Sequence, residues 1–197
     1  FLLFKMDDCL HVPFRPEPLV VQGVCNFEGN KYNNVVPSYV FPSCMPHDFY
    51  EHKKGKQFCI PPRSNYTISN MYHIIYSKFK LKVFYVINLR MKSSNRKNEV
   101  WLPLQGGPTA AIKPCIINHV LDEILRRCPS TFIVHCSHGI NHTLLILAAL
   151  YLVHHPSQTI DAALHHVKQI RPPGILRSNV IDSLKVWYVD RKKKNKE

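Results

Sequence analysis

Apolar residues recur along this chain with two alternating periods, and their order predicts an α/β fold. From residue 65 to 79, Ile68, Met71, Tyr72, Ile75 and Phe79 fall at helical spacing. Residues 82–89 are rich in β-branched and aromatic side chains and predict a buried strand. A polar connection, 92–98, leads to a short strand at Val100-Trp101-Leu102 and then to a loop at Gln105-Gly106-Gly107-Pro108. Pro114 suits the first turn of a helix that continues through Ile117, Val120, Leu121, Ile124 and Leu125, with Arg126 and Arg127 at its C-terminal end. Thr131-Phe132-Ile133-Val134 is again strand-like, and the apolar run 144–153 has the composition of a buried helix that stops before Pro156. A further helix begins near Thr159 and presents Ile160, Ala163, Leu164, Val167 and Ile170 on one face. Arg171-Pro172-Pro173-Gly174 breaks it, and 178–188 form a last amphipathic helix carrying Val180, Ile181, Leu184 and Trp187. Helices alternating with strands predict a central, mainly parallel sheet flanked by helices.

Residues 1–62 depart from this pattern. They hold eight prolines and only two strand-like runs, Leu19-Val20-Val21 and Tyr39-Val40-Phe41. An irregular, Pro-rich region at the sheet edge, packed on the core, is expected there. Glu51 to Lys56 reads as a polar, basic turn. A single α/β domain is expected over 63–189. Residues 190–197 form a basic tail too charged to pack.

Composition narrows the class. With 197 residues, 45% hydrophobic and 20% charged, the chain can bury one core. The run 144–153 is about half a membrane span, and Phe1-Leu2-Leu3-Phe4 lacks the basic flank and cleavage site of a signal peptide. Seven cysteines without a Cys-x-x-Cys pair argue for a reducing, intracellular setting. The formal charge of +13 favours an anionic partner such as RNA or a phosphorylated ligand. His154-His155 and His165-His166 are adjacent pairs, unlike the i, i+4 pairs that hold zinc on a helix, so no metal site is expected.

The candidate chemistry lies between the strand at 131–134 and the helix at 144–153: His135-Cys136-Ser137-His138-Gly139-Ile140-Asn141-His142-Thr143. A strand, a tight loop and a helix turn main-chain N–H groups inward at a helix N-terminus, which binds phosphate. A cysteine placed there is expected to be partly thiolate and nucleophilic.

His135-Cys136 followed by five residues and position 142 matches the His-Cys-x5-Arg frame of the cysteine phosphatases. The interior closely resembles the His-Cys-Thr-His-Gly-Phe-Asn-Arg-Thr loop of RNA 5′-triphosphatases in metazoan mRNA capping enzymes and their phosphatase relatives. Ile170-Arg171-Pro172-Pro173-Gly174-Ile175 resembles a second stretch of those enzymes, Ala-Arg-Pro-Pro-Gly-Ile. The resemblance spans about 65–188 and implies a dual-specificity-phosphatase-like α/β domain, no cofactor, and a nuclear or cytoplasmic place. It implies Cys136 as the nucleophile that forms a phosphocysteine. The N–H groups of Ser137, His138, Gly139, Ile140, Asn141, His142 and Thr143 would hold the phosphoryl oxygens. Thr143 would hydrogen-bond the sulfur and His135 would orient the loop. The Lys-x-Asp-Gly motif of a capping guanylyltransferase is absent.

Position 142 breaks the pattern: it is histidine where the family has arginine. Arginine gives a permanent charge and a planar fork for two phosphoryl oxygens, whereas imidazole offers one donor and is charged only when protonated. Leu144 stands where the family has glycine and is expected to crowd the first helical turn. No Asp or Glu lies between Val100 and Pro114 to serve as general acid, which weighs against phosphotyrosine more than against a triphosphate with its weakly basic leaving group. Two readings are open. One is a catalytically impaired pseudophosphatase that binds an RNA 5′ end, another phosphorylated ligand or a protein partner. The other is a working RNA 5′-phosphatase in which His142 is aided by nearby lysines or arginines.

Overall fold

Strand β5 (Thr131–His135) is buried at every position because it has a strand on each side and helices above and below. The computed structural model describes residues 19–22, 37–43, 67–93, 97–104, 110–128 and 130–194. The expected turn from Glu51 to Lys56 and the loop from Gln105 to Pro108 lie outside them. Strands β1 (Leu19–Gln22), β2 (Pro37–Ser43), β3 (Tyr85–Asn88) and β4 (Glu99–Trp101) complete one sheet in the order β1-β2-β5-β3-β4. All neighbours are parallel except β1, which runs antiparallel along β2 at one edge. The sheet is therefore mainly parallel, as expected.

The two strand-like runs of residues 1–62 are both strands, and β2 lies inside the sheet between β1 and β5 rather than at its edge. Its prolines are accommodated by position. Tyr39 N–H donates to the Ser130 carbonyl on the β5 side, so by alternation Pro42 turns its nitrogen toward β1. Among the described residues β1 reaches only as far as Val40, so Pro42 removes no ladder bond there. Strand β3 is shorter than the predicted 82–89 run: Phe84 precedes it and is half exposed.

Alternation in the strands divides the core in two. Val40, Ile87, Phe132 and Val134 face one side, while Phe41, Val86 and Ile133 face the other. The second face is covered by helix α1 (Ile68–Phe79) through Ile68, Met71 and Ile75. Thr67 caps α1 by accepting from Asn70 N–H at 3.1 Å. Helices α2 (Pro114–Leu125), α3 (Asn141–His154), α4 (Ile160–Ile170) and α5 (Ser178–Lys194) cover the first face. Thr159 caps α4 through Ala162 N–H at 3.2 Å. Helix α3 is apolar all round because the sheet and the helices beside it enclose it.

Helix α5 runs past the predicted end at Tyr188 and takes in most of the basic tail. Lys194 pairs with Asp190 at 3.1 Å, and Arg191 and Lys192 lie over the Trp187 and Tyr188 rings. Cations at a helix C-terminus meet the negative end of its dipole, so the charge that argued against packing supports the last turn. The histidine pairs also find a plain use, since Tyr151 lies 4.6 Å from both the His155 and the His166 rings. Among the described residues, no helix is long and apolar enough to cross a membrane.

Leu144 does not crowd its turn. Its side chain is fully buried among the core residues, and Leu144 N–H donates to the Ile140 carbonyl at 3.0 Å, a normal helical bond. Leu144→Gly should lose about 2–5 kcal/mol for the emptied core position and about 1 kcal/mol for glycine in a helix. Guanidinium denaturation of the two chains measures the difference.

Candidate active site

The loop between β5 and α3 is set by the burial of both elements, which leaves the turn only the C-terminal edge of the sheet. Gly139 bends it with φ +69°, the left-handed region that glycine tolerates best. Its N–H then donates to Cys136 Sγ at 3.2 Å. The N-cap of α3 is Ile140, which offers no side-chain cap. The first-turn N–H groups of α3 are thereby left for whatever occupies the space above them.

That space is a cavity of about 320 Å³. Cys136, Ser137, His138, Asn141 and His142 form its loop side, and Leu89 and Leu104 its apolar wall. Cys136 is buried, with 7% of its surface exposed. His135 is fully buried, its Nδ1 3.4 Å from the Cys136 carbonyl oxygen. Ile140 belongs to the core and does not line the cavity. Thr143 differs from its expected place: its hydroxyl oxygen is buried and has no hydrogen-bond partner among the described residues, so the bond to the Cys136 sulfur is not made.

Three cations at the rim were missed in the sequence. Arg90 and Lys92 come after β3, and Arg177 precedes α5. The first two stand at the carboxyl end of a parallel strand, where ligands of open α/β sheets bind, so topology alone offered a signal. Arg177 is delivered by a longer construction. After Arg171-Pro172-Pro173, Gly174 turns at φ +91°, where an added Cβ would come 3.1 Å from Lys168 Cβ. The chain then passes over the loop, and Asn141 Oδ1 accepts from both Leu176 N–H and Arg177 N–H at 3.0 Å. Arg171, by contrast, is buried and does not line the cavity.

Arg177 also acts on the histidines, after burial. Burial first, and the Arg177 charge second, hold both His138 and His142 below the usual histidine range. Both are neutral at pH 7. Position 142 thus presents an uncharged imidazole to the cavity, while Arg177 lines the same cavity from another segment. No carboxylate is among the described residues that line the cavity. The arrangement suits a polyanion above a thiol.

The architecture is that of the dual-specificity cysteine phosphatases. A leucine-rich repeat and phosphatase domain containing protein from Entamoeba histolytica superposes with a TM-score of 0.52 at 16% identity, covering 65% of this chain and 86% of that one. A mouse putative dual specificity phosphatase, solved with zinc tungstate, gives 0.51 at 15% identity, covering 64% and 79%. In sequence the chain is similar to an mRNA-capping enzyme of Danio rerio, 34% identical over 84 residues, which is 42% of this chain. The chain spans 14% of that enzyme's length. No family model matches.

The histidine shifts fix a pH dependence. In the unfolded chain these side chains take up protons near pH 6.5, whereas the folded chain resists until lower pH. Their contribution to stability is therefore complete above that value and is lost as pH falls through about 6.5 toward the folded values. A bound anion favours the protonated forms, so binding tightens over the same window. Sulfate, whose own charge is constant there, should raise Tm more at about pH 5.5 than at about pH 7.5. His142→Asn should reduce that difference.

Proposed function

We propose that this chain is an RNA 5′-triphosphatase-like domain that grips a phosphorylated 5′ end while turning it over poorly. The observation that carries the reading is the cavity in which the Cys136 loop meets Arg90, Lys92 and Arg177 while position 142 is neutral. In this reading the α3 N-terminus and the N–H groups of the loop residues that line the cavity, Ser137, His138, Asn141 and His142, hold the terminal phosphoryl group. The three cations neutralise the phosphates behind it. His135 orients the loop, and Cys136 stands in line for attack. The similarity to a capping enzyme supports an RNA 5′ end over other phosphorylated ligands, and the net charge of +13 supports attraction to it. Such a ligand belongs with a nuclear or cytoplasmic protein, where a protein partner is also compatible with a binding role.

Two features support impaired chemistry. Removing one preorganised donor from a developing oxyanion costs about 2.7–4 kcal/mol, and arginines in phosphoryl transfer contribute roughly 10³- to 10⁵-fold. Position 142 has lost that group. The unbonded Thr143 hydroxyl would not assist departure of the sulfur either. A second reading, an active polynucleotide 5′-phosphatase passing through a Cys136 phosphocysteine, is favoured by Arg177, which brings a fork-shaped cation to the cavity.

Release of γ-phosphate from 5′-triphosphate RNA separates the readings. The chain as it stands should give only trace release, and His142→Arg should raise it by about 10² or more. Robust turnover that disappears in Cys136→Ser would establish the active enzyme instead. Binding should be steeply salt-dependent. In the Cys136→Ser background, Arg177→Gln should weaken binding about 10- to 100-fold, the worth of a charged hydrogen bond of about 1.5–3 kcal/mol. Isothermal titration at two salt concentrations measures both effects.

A further inference from the structure

We propose that Trp101 is a stacking platform for the first nucleobase of the RNA whose 5′ phosphates lie in the Cys136 cavity. The proposal rests on the phosphate-binding reading above and adds the part of the ligand beyond the phosphates. Trp101 ends β4, opposite Asn88 of β3, and Asn88 in turn lies opposite His135 of β5. The indole therefore stands at the same sheet edge as the loop.

It is exposed, with 45% of its surface open. Yet it is not loose. Nε1–H donates to the Arg90 carbonyl at 2.7 Å, so its one polar atom is tied to the backbone of a residue lining the cavity. The turn carrying Arg90 is itself braced. Asn88 Oδ1 accepts from Arg90 N–H at 2.9 Å, and Asn88 Nδ2 donates to the Lys92 carbonyl at 2.9 Å and to the Glu99 carboxylate. Met91, 60% exposed, lies between the two cations of this turn. A fixed, satisfied indole with open surface beside a cationic cavity suits a ligand with phosphates at one end and a flat ring at the other. Base stacking on an aromatic side chain is tolerant of sequence, because every base has a π-face. A nucleotide chain is favoured over a phosphopeptide because three rim cations match several adjacent phosphates, where a phosphotyrosine brings one.

The test uses the whole chain in the Cys136→Ser form, with triphosphorylated trinucleotide RNA, inorganic triphosphate and a phosphotyrosine peptide as probes. The chain has two tryptophans, and the other, Trp187, is fully buried. The RNA should quench the emission of the exposed one, and inorganic triphosphate should not. The RNA should also bind about 5- to 100-fold more tightly than inorganic triphosphate, the range of one base stack. Trp101→Ala should erase most of that ratio and Trp101→Phe should keep most of it. If both probes bind but the RNA neither quenches nor gains affinity, or if Trp101→Ala keeps the ratio, the platform is overturned and the phosphate site stands. Tighter binding of the peptide than of the RNA also overturns it. If no probe binds, the phosphate reading fails and the platform with it. Should Trp101→Ala misfold, the quench and Trp101→Phe still decide.

Discussion

The site depends on β5 and α3 being buried on all sides. A strand locked between two others and a helix enclosed by the sheet and its neighbours leave their connecting turn one place to be, above the carboxyl edge of the sheet. Sterics then set the rest of the loop. Gly139 takes the left-handed bend, its N–H reaches the sulfur, and the α3 N-terminus opens into the cavity. None of this requires arginine at position 142. The cradle is a consequence of the core, and it forms with histidine at that position.

A second constraint joins the loop to a distant segment. Asn141 Oδ1 accepts two adjacent main-chain N–H groups, the second belonging to Arg177, 36 positions further on. A buried or half-buried carbonyl oxygen that loses such partners costs about 1–3 kcal/mol, so the bond holds the segment against the loop. The Gly174 turn makes the approach possible because a side chain there would press on Lys168. The Arg-Pro-Pro-Gly-Ile stretch that signalled kinship in the sequence thus has a physical task, to aim Leu176 and Arg177 at the loop.

Much of the fold could be read from the chain because its elements announce themselves locally. The run 144–153 is too apolar to be anything but enclosed, and Thr159, Pro114 and the Arg171-Pro172-Pro173-Gly174 break sit at element ends where capping and backbone chemistry put them. The errors came where partners are remote. The prolines of residues 1–62 placed the Tyr39-Val40-Phe41 run at the sheet edge, and only the side from which β1 pairs explains why Pro42 is harmless inside the sheet. The basic tail looked unpackable until its charges met a helix end. In the loop, Cys136 and His142 were legible by spacing, whereas the Thr143 hydroxyl was assigned to the sulfur and reaches no partner among the described residues. Arg177 left no local trace, since what makes it part of the cavity is a hydrogen bond formed by the folded chain.

The position of Arg177 bears on what kind of activity this cavity keeps. A loop arginine at position 142 would move with the phosphoryl-binding N–H groups and tighten on the equatorial oxygens as the group flattens. A guanidinium arriving from the rim, beside Arg90 and Lys92, meets charge that is present before the reaction begins. Interactions of equal strength in ground and transition states strengthen binding without accelerating the chemical step. In the proposed reading the charge on this surface is of that kind, and the uncharged His142 lacks what an arginine would add in the transition state. That reading separates grip from turnover, which a single loop arginine would combine.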